Sequence, residues 1–420
     1  MHILLIHQAF ASLDEPGGTR HHEFARHMAA CGHIVTVITS PVSYLTGRTL
    51  TPSLFSSSPP PKRERGNVTQ LGGEVCILHA YTYSALHKSF IHRTIAFFSF
   101  MVSSFFIGLG VKDVDVVWGT SPPIFQGVTA WTLARLKRTP FLFEVRDLWP
   151  AFAIAIGVLR NPILICLSEW LERFLYRHAE RVVVNSPGFI THVMQREARR
   201  VELIPNGTDP SMFDPTDGGV VFRRTHHLEN KFVVLYAGAH GISNDLSVVL
   251  EAAHSLAERP GKLPGAVHIV LLGDGKDKPN LQRQAARMGL TNVTFLSPVP
   301  KKNMSAALAG ADACIAILKP LEAYRTTYPN KVFDYMAAGR PVALAIDGVI
   351  REVVEAAECG LFAEPGNPEA LADSIEALAV NPEHSRKMGL NGRRYVETHF
   401  NRAMLAERLI CVLGEMVKSD

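Results

Sequence analysis

Two successive series of short apolar runs, each alternating with helix-like stretches, constrain this chain more than any other feature. "HILLIH" opens the first series as an unbroken apolar run, the pattern of a strand covered on both faces in a parallel sheet. "IVTVITS", "VDVVWGTS", "PFLFEVRD" and "RVVVNS" follow it. "FVVLYAG" restarts the alternation and leads to "VHIVLLGDG", "VTFLSPV", "ACIAIL" and "PVALAI". Repeated strand–helix alternation is the signature of doubly wound α/β domains. The 420 residues accommodate two of them. The expected division is an N-terminal Rossmann-like domain over 1–205, a second over 206–384, and a helical segment over 385–420 packing back across the boundary. "IPNGTDPSMFDPTDGG" has the Pro, Gly and Asp content of a linker, and the cleft between two such domains is a usual ligand site. "PSLFSSSPPPKRERG", Pro52–Gly66, reads as a loop within the first domain.

Charge and cysteine content remove several classes of function. A net charge of +4 is too small for a dedicated nucleic-acid binder. The six cysteines include no CxxC pair, so buried free thiols are expected rather than disulfides or zinc. "MHILLIHQAF" lacks a basic n-region, and no signal peptide is expected. Thr94–Val111, "TIAFFSFMVSSFFIGLGV", carries no charge and just reaches the length of a membrane span. It reads as a span, a buried helix, or a helix whose outer side meets lipid. His87, Lys88, His92 and Arg93 precede it, either to face anionic headgroups or as a solvated helix end.

Three strand ends of the second domain carry residues suited to a ligand. His240-Gly241 follows one strand, and Gly273, Asp274 and Gly275 follow the next, where open α/β sheets bind ligands. "YRTTYPNKVFDYMAAGRPV" then opens a helix near a proline and closes it on a glycine, with Lys331 and Asp334 at its start. A cation and a carboxylate there suit a ligand that is both anionic and rich in hydroxyls. In the first domain, Gly17-Gly18 lies between strand and helix. Glycine there lets a phosphate approach the backbone, or makes a plain turn. GxGxxG and P-loop patterns are absent. "DVD" at Asp113–Asp115 reads as the polar start of a strand. His21, His22 and His27 read as a polar helix face, with a metal cluster the alternative.

These pieces, in order and spacing, resemble the family 4 retaining glycosyltransferases. The resemblance runs through "PGGTRHHEFARHMAACGHIVTVITS", "FEVRDLWP", "LIPNGTD", "YAGAHG", "GDGKDKPNL" and "PNKVFDYMAAGRPV". It implies the GT-B architecture, two facing Rossmann-like domains around a cleft, and looks nearest to a bacterial O-antigen and capsule subgroup that includes N-acetylfucosaminyltransferases. In that family two glutamates eight positions apart flank the helix start; one touches the donor sugar and one the ribose. Here they correspond to Thr326 and Asp334, and Thr326 cannot accept as a carboxylate does. The arginine and lysine usual after the "YAG" strand are also missing, which leaves Lys331, with Arg325 and the backbone at Gly241, to hold the diphosphate. The resemblance adds Val299 and Asn330 to the donor site. It places Glu144, Arg146 and Asp147 at a strand end of the first domain, pointing into the cleft as catalytic candidates, with an Arg146–Asp147 ion pair as the structural alternative.

The implied activity is transfer of a sugar from a nucleotide-diphosphate donor, expected to be UDP-linked, to a polyprenyl-diphosphate-linked saccharide in surface polysaccharide synthesis. No metal and no cofactor beyond the nucleotide-sugar are expected. The expected location is peripheral, on the cytoplasmic face of the inner membrane. A UDP-sugar 2-epimerase of the same two-domain fold and a non-catalytic donor-binding subunit are the competing readings.

Overall fold

The computed structural model describes residues 1–42, 74–84, 90–215, 218–259 and 266–418. The serine- and proline-rich stretch 52–66, with His87 and Lys88, lies outside them. The chain divides into two compact units.

The first unit is built on seven parallel strands. Its elements are β1 (His2–Ile6), α1 (Arg20–Ala30), β2 (Ile34–Thr39), β3 (Val75–His79), α2 (Phe90–Gly110), β4 (Val116–Ser121), α3 (Phe125–Lys137), β5 (Phe141–Val145), α4 (Ala151–Ala155), α5 (Pro162–His178), β6 (Arg181–Val184), α6 (Ile190–Gln195) and β7 (Val201–Leu203). The strand order is β3-β2-β1-β4-β5-β6-β7, so connection direction reverses between β1 and β4. Side-chain alternation serves both faces. Leu4, Ile6, Val117 and Phe143 face the layer of α2, α3 and α5. Ile3, Leu5, Val116, Trp118 and Leu142 face α1 and a further helix named below.

The second unit follows the same logic with six parallel strands. It comprises α7 (Gly219–Thr225), β8 (Lys231–Ala237), α8 (Leu246–Ala257), β9 (Ala266–Leu272), α9 (Lys278–Arg287), β10 (Val293–Leu296), α10 (Met304–Ala309), β11 (Ala313–Ile317), α11 (Asn330–Ala337), β12 (Val342–Ala345), α12 (Val349–Ala356), β13 (Gly360–Phe362), α13 (Pro368–Val380) and α14 (Pro382–His399). The order β10-β9-β8-β11-β12-β13 again reverses beside its first strand. Open α/β sheets take ligands at such a reversal, outside the carboxyl ends of the strands. Val233 and Leu235 of β8 pack towards α11 and α12, while Val234 and Tyr236 pack towards α8 and α13. Leu13–Gly17 also belongs to this unit. Backbone N–H groups of Lys301 and Lys302 donate to Glu15 and Leu13, and the Lys302 ammonium lies 2.7 Å from Asp14.

The single terminal helix expected over 385–418 is two helices. Phe400 leaves the helical path to bury itself 4.6 Å from the Phe333 ring, and Asn401 bridges to Thr208. Helix α14 stays with the second unit, while α15 (Arg402–Lys418) completes the first. There Leu405, Leu409 and Leu413 cover the sheet, and Arg402 bonds Glu23 at 3.0 Å. The thiols differ from expectation too: Cys76, Cys314 and Cys359 are buried, but Cys31, Cys166 and Cys411 are exposed.

Candidate functional site

In the second unit the candidate residues gather where β8 and β9 end and α11 begins. Tyr335, on α11, accepts from the N–H of Ala237 at 2.9 Å and donates to its carbonyl at 3.2 Å, which fixes the end of β8. The two strand-end loops are laced together. Gly238 N–H donates to Leu272, His240 N–H to Asp274, and Asp277 N–H to His240. Only glycine fits between them: a Cβ on Gly273, at φ +150°, would lie 1.9 Å from the Gly238 oxygen. The Lys278 ammonium binds the carbonyls of Gly273 and Leu296 at 2.7 and 2.9 Å.

Lys331 enters this frame from the first turn of α11. Helix α11 begins after Pro329 and ends on Gly339 at φ +65°, with Gly339 N–H bonded to Met336 and Arg340 N–H to Tyr335, a Schellman closure. The Lys331 ammonium donates to the Tyr236 hydroxyl at 2.8 Å and to Asn244 Oδ1 at 3.2 Å, and lies 4.1 Å from the Tyr236 ring centroid. The Tyr236 hydroxyl in turn donates to Ala239 at 2.8 Å. Among the described residues Lys331 has no carboxylate partner, and burial pulls its pKa down to about 7. A Cβ on Gly238 would sit 3.0 Å from the Lys331 nitrogen, so the glycine leaves the ammonium open on that side.

His240 is fully buried, and among the described residues neither ring nitrogen has a partner. Burial first, and then the charge of Lys278, lower its pKa to about 4. Asp334 is differently placed from Lys331. Its carboxylate accepts from Thr208 Oγ1 at 2.7 Å and from the largely buried Lys301 ammonium at 2.5 Å. The two residues that stand together in sequence thus have separate partners. Arg325 is half-exposed and paired with Asp347 at 3.1 Å and Glu322 at 3.4 Å. With Lys319, Tyr324, Arg351 and Phe362 it lines a cavity of 460 Å³. Thr326 donates to the Ala323 carbonyl, Val299 packs on the core beneath, and Asn330 is the first residue of α11. Gly241 accepts from Asn244 N–H, holding the turn that carries that Lys331 partner. Asp274 bonds the N–H of Gly275 through Oδ1. Gly17, at φ +147°, lies in the segment held by Lys301 and Lys302. A Cβ on Gly18 would meet nothing within 4 Å, so packing does not demand glycine there.

In the first unit one expectation is corrected. Glu144 does not point outward from β5. It is fully buried between Arg20 Nε at 2.8 Å and His21 Nε2 at 2.7 Å, with Trp118 Nε1 at 3.2 Å. Burial alone would raise its pKa, but His21 and Arg20 hold the carboxyl below the usual carboxylate range. Arg20 also bonds the carbonyls of Ile204 and Pro205. The group is an internal anchor for α1. The three histidines form no common face: His21 is buried in that anchor, His22 lies 5.7 Å from the Phe10 ring, and His27 is 3.7 Å from Glu407. Among the described residues no cluster of three possible metal ligands forms. Arg146 and Asp147 make no ion pair with each other. The Arg146 guanidinium donates to Pro122 at 2.8 Å, and its Nε has no partner. Asp147 is exposed, so the upward push of surrounding protein on its carboxyl is screened by the water it touches.

Residues that pattern reading missed are Tyr236, Asn244, Thr208 and Lys301. Tyr236 lay inside a strand-like run. Lys301 meets Asp334 across 33 positions, a separation that no local pattern encodes.

The geometry defines a protein with two nucleotide-binding-type folds, one of them presenting an unneutralised cation at its sheet reversal. Residues 17–207 match the family described as glycosyl transferase 4-like domain, and 231–381 match glycosyl transferases group 1. Together the two matches cover most of the chain, which belongs to the glycosyltransferases of the family 4 type. Among relatives, WcaI of Escherichia coli (strain K12), named for colanic acid biosynthesis as a glycosyl transferase, is 23% identical over 405 residues, covering 92% of this chain and 93% of its own. Sucrose-phosphate synthase from Thermosynechococcus elongatus shares the fold with a TM-score of 0.76 at 17% identity, over 100% of both chains. Alr3699/HepE from Anabaena, solved with UDP-glucose, gives 0.69 at 17% identity, over 99% of this chain and 100% of its own.

Two outcomes follow from these contacts. Glu144→Gln removes the counter-charge of a buried arginine and should cost about 3 kcal/mol in urea denaturation, leaving nucleotide affinity unchanged. Lost turnover with an unchanged denaturation midpoint would restore Glu144 to the catalytic set. An anion seated beside Lys331 raises its pKa again, so binding takes up a proton wherever the free site is deprotonated. Calorimetric affinity for a nucleoside diphosphate should therefore fall as pH rises from about 7 to about 9, and Lys331→Arg should flatten that slope.

Proposed function

We propose that this chain is a retaining glycosyltransferase that moves a sugar from a UDP-linked donor to a lipid-linked saccharide in surface polysaccharide synthesis. The observation that carries the reading is Lys331, a partly buried ammonium with no carboxylate partner among the described residues, beside glycines at the strand ends of its unit. A nucleoside diphosphate leaving group is the anion it suits, because the charge that develops as the sugar departs falls on phosphate oxygen. The UDP-glucose complex of the Anabaena protein and the colanic acid name of the Escherichia coli relative support donor and pathway class. The O-antigen and capsule subgroup, including N-acetylfucosaminyl transfer, is the finer reading.

In the proposed step the acceptor hydroxyl attacks the anomeric carbon on the face the diphosphate leaves. The carbon–oxygen bond to phosphate breaks, and the departing phosphate oxygen takes the hydroxyl proton. Lys331 stabilises that oxygen. Asp334, though paired with Lys301, keeps lone pairs for ribose hydroxyls, and Arg146 and Asp147 remain the first unit's candidates for acceptor or sugar contact. Transfer proceeds without a metal or a resident cofactor, and the enzyme works peripherally on the cytoplasmic face of the inner membrane.

The test is incubation of the purified chain with UDP- and GDP-sugars and lipid-linked acceptors. UDP-dependent transfer with the donor's anomeric configuration kept is expected. Folded protein without turnover of any donor, or release of an epimerised sugar without acceptor, would contradict the reading. Asp334→Ala should weaken UDP binding. Lys331→Ala should slow transfer by roughly 10²-fold or more, beyond its effect on uridine affinity.

A further inference from the structure

The outer side of the α2–α3–α5 layer carries apolar side chains that nothing among the unit's described residues covers. On α2, Ile95, Phe98, Val102, Phe106 and Leu109 are exposed, Phe106 at 66%. Their spacing of three and four places them on one helical face, over about 21 Å at 1.5 Å per residue. Opposite them, Ala96, Phe100 and Ser104 are buried towards the sheet. On α5, Ile163, Leu164, Leu167 and Trp170 are exposed, Trp170 at 61%. Helix α3 lies between the two: Phe125 packs 4.8 Å from Phe98, and Trp131 packs 4.8 Å from Phe174 on α5. In the second unit the exposed large apolar residues stand apart (Ile242, Val380, Leu390) except for adjacent Val220 and Val221.

We propose that this face is a bilayer-docking surface, with α2 and α5 lying in the plane of an anionic membrane. Three observations select lipid over a protein partner. First, serine and threonine hydroxyls of α2 and α3 are satisfied within the layer, while the buried Trp131 Nε1 has no partner among the described residues. Ser99, Ser103 and Ser104 donate to carbonyls of Ala96, Phe100 and Met101, Thr129 donates to Met101, and Thr132 to Val128. These hydroxyls can enter a medium without water at no hydrogen-bond cost. Second, charge matches anionic headgroups. Helices α2 and α3 contain no acidic residue, and α3 ends on Arg135 and Lys137. The acids of α5, Glu169 and Glu172, are both engaged by Arg196. Third, Trp170 on α5 is an amphipathic ring at the edge of an apolar stripe, the usual placement at a membrane interface. Among the described residues no helix is long and apolar enough to cross a membrane, so the surface docks without spanning. This deepens the functional reading above by naming where a lipid-borne acceptor is met.

The experiment is co-sedimentation of the full chain with phosphatidylcholine vesicles, with and without phosphatidylglycerol, while tryptophan emission is followed and UDP affinity is measured in the same preparations. Trp118 is buried and Trp131 and Trp149 are half-buried, so a blue shift reports Trp170. Binding to the anionic vesicles with a blue shift that Trp170→Phe abolishes is expected, as is quenching by lipids labelled along the acyl chain. Val102→Glu with Phe106→Glu should lower vesicle affinity at least tenfold and leave UDP binding intact. No vesicle binding by a parent chain that binds UDP overturns the docking surface alone. So does equal binding by the double variant, or an apolar face buried between two copies with no lipid quenching. Where the double variant fails to fold, the quenching of Trp170 in the parent decides. Absence of UDP binding with vesicle binding kept would instead strike the donor-site reading.

Discussion

A lysine ammonium resting on a tyrosine ring, with no carboxylate among the described residues to neutralise it, is the interaction on which the rest of the site depends. Lys331 is placed by helix α11, which Pro329 starts and a Gly339 closure ends, and is received by Tyr236 near the end of strand β8. Removing a cation from water is costly unless something compensates. The Tyr236 hydroxyl and Asn244 compensate in part, and the lowered pKa records the remainder. An arriving diphosphate would supply the missing charge, so the cost carried by the free protein becomes a preference for anionic ligand.

The other buried charges show what full compensation looks like. Glu144 is enclosed by Arg20, His21 and Trp118, and Asp334 by Lys301 and Thr208. Both are structural ties before they are anything else: one fastens α1 to the sheet of the first unit, the other fastens α11 to the segment after Pro205. His240 is the exception on the polar side, an imidazole buried without hydrogen-bond partners among the described residues, between the loops that frame Lys331. Its lowered pKa keeps it neutral at physiological pH and removes a second positive charge from beside the ammonium.

Much of the fold could be read from the chain because parallel strands buried on both faces are written as unbroken apolar runs, as "HILLIH" and "FVVLYAG" are. The strand ends carrying Gly241 and Gly273 and the helix start carrying Lys331 are equally visible, since glycine at a strand end and a proline-opened helix are local signals. What could not be read was pairing across distance. Glu144 looks like a catalytic acid in "FEVRDLWP" because nothing nearby announces Arg20, 124 positions away. The terminal helix looked continuous because a buried Phe400 is as helix-compatible in sequence as an exposed one. The apolar stretch from Thr94 reads more than one way because one side of α2 is core and the other is exposed.

A structure of the chain with bound UDP tests the central claim most directly. The account predicts the diphosphate within hydrogen-bond distance of the Lys331 ammonium, against the backbone of Gly238–Gly241, with the ribose towards Asp334. Phosphates bound elsewhere, with Lys331 still on Tyr236 and Asn244 alone, would contradict it.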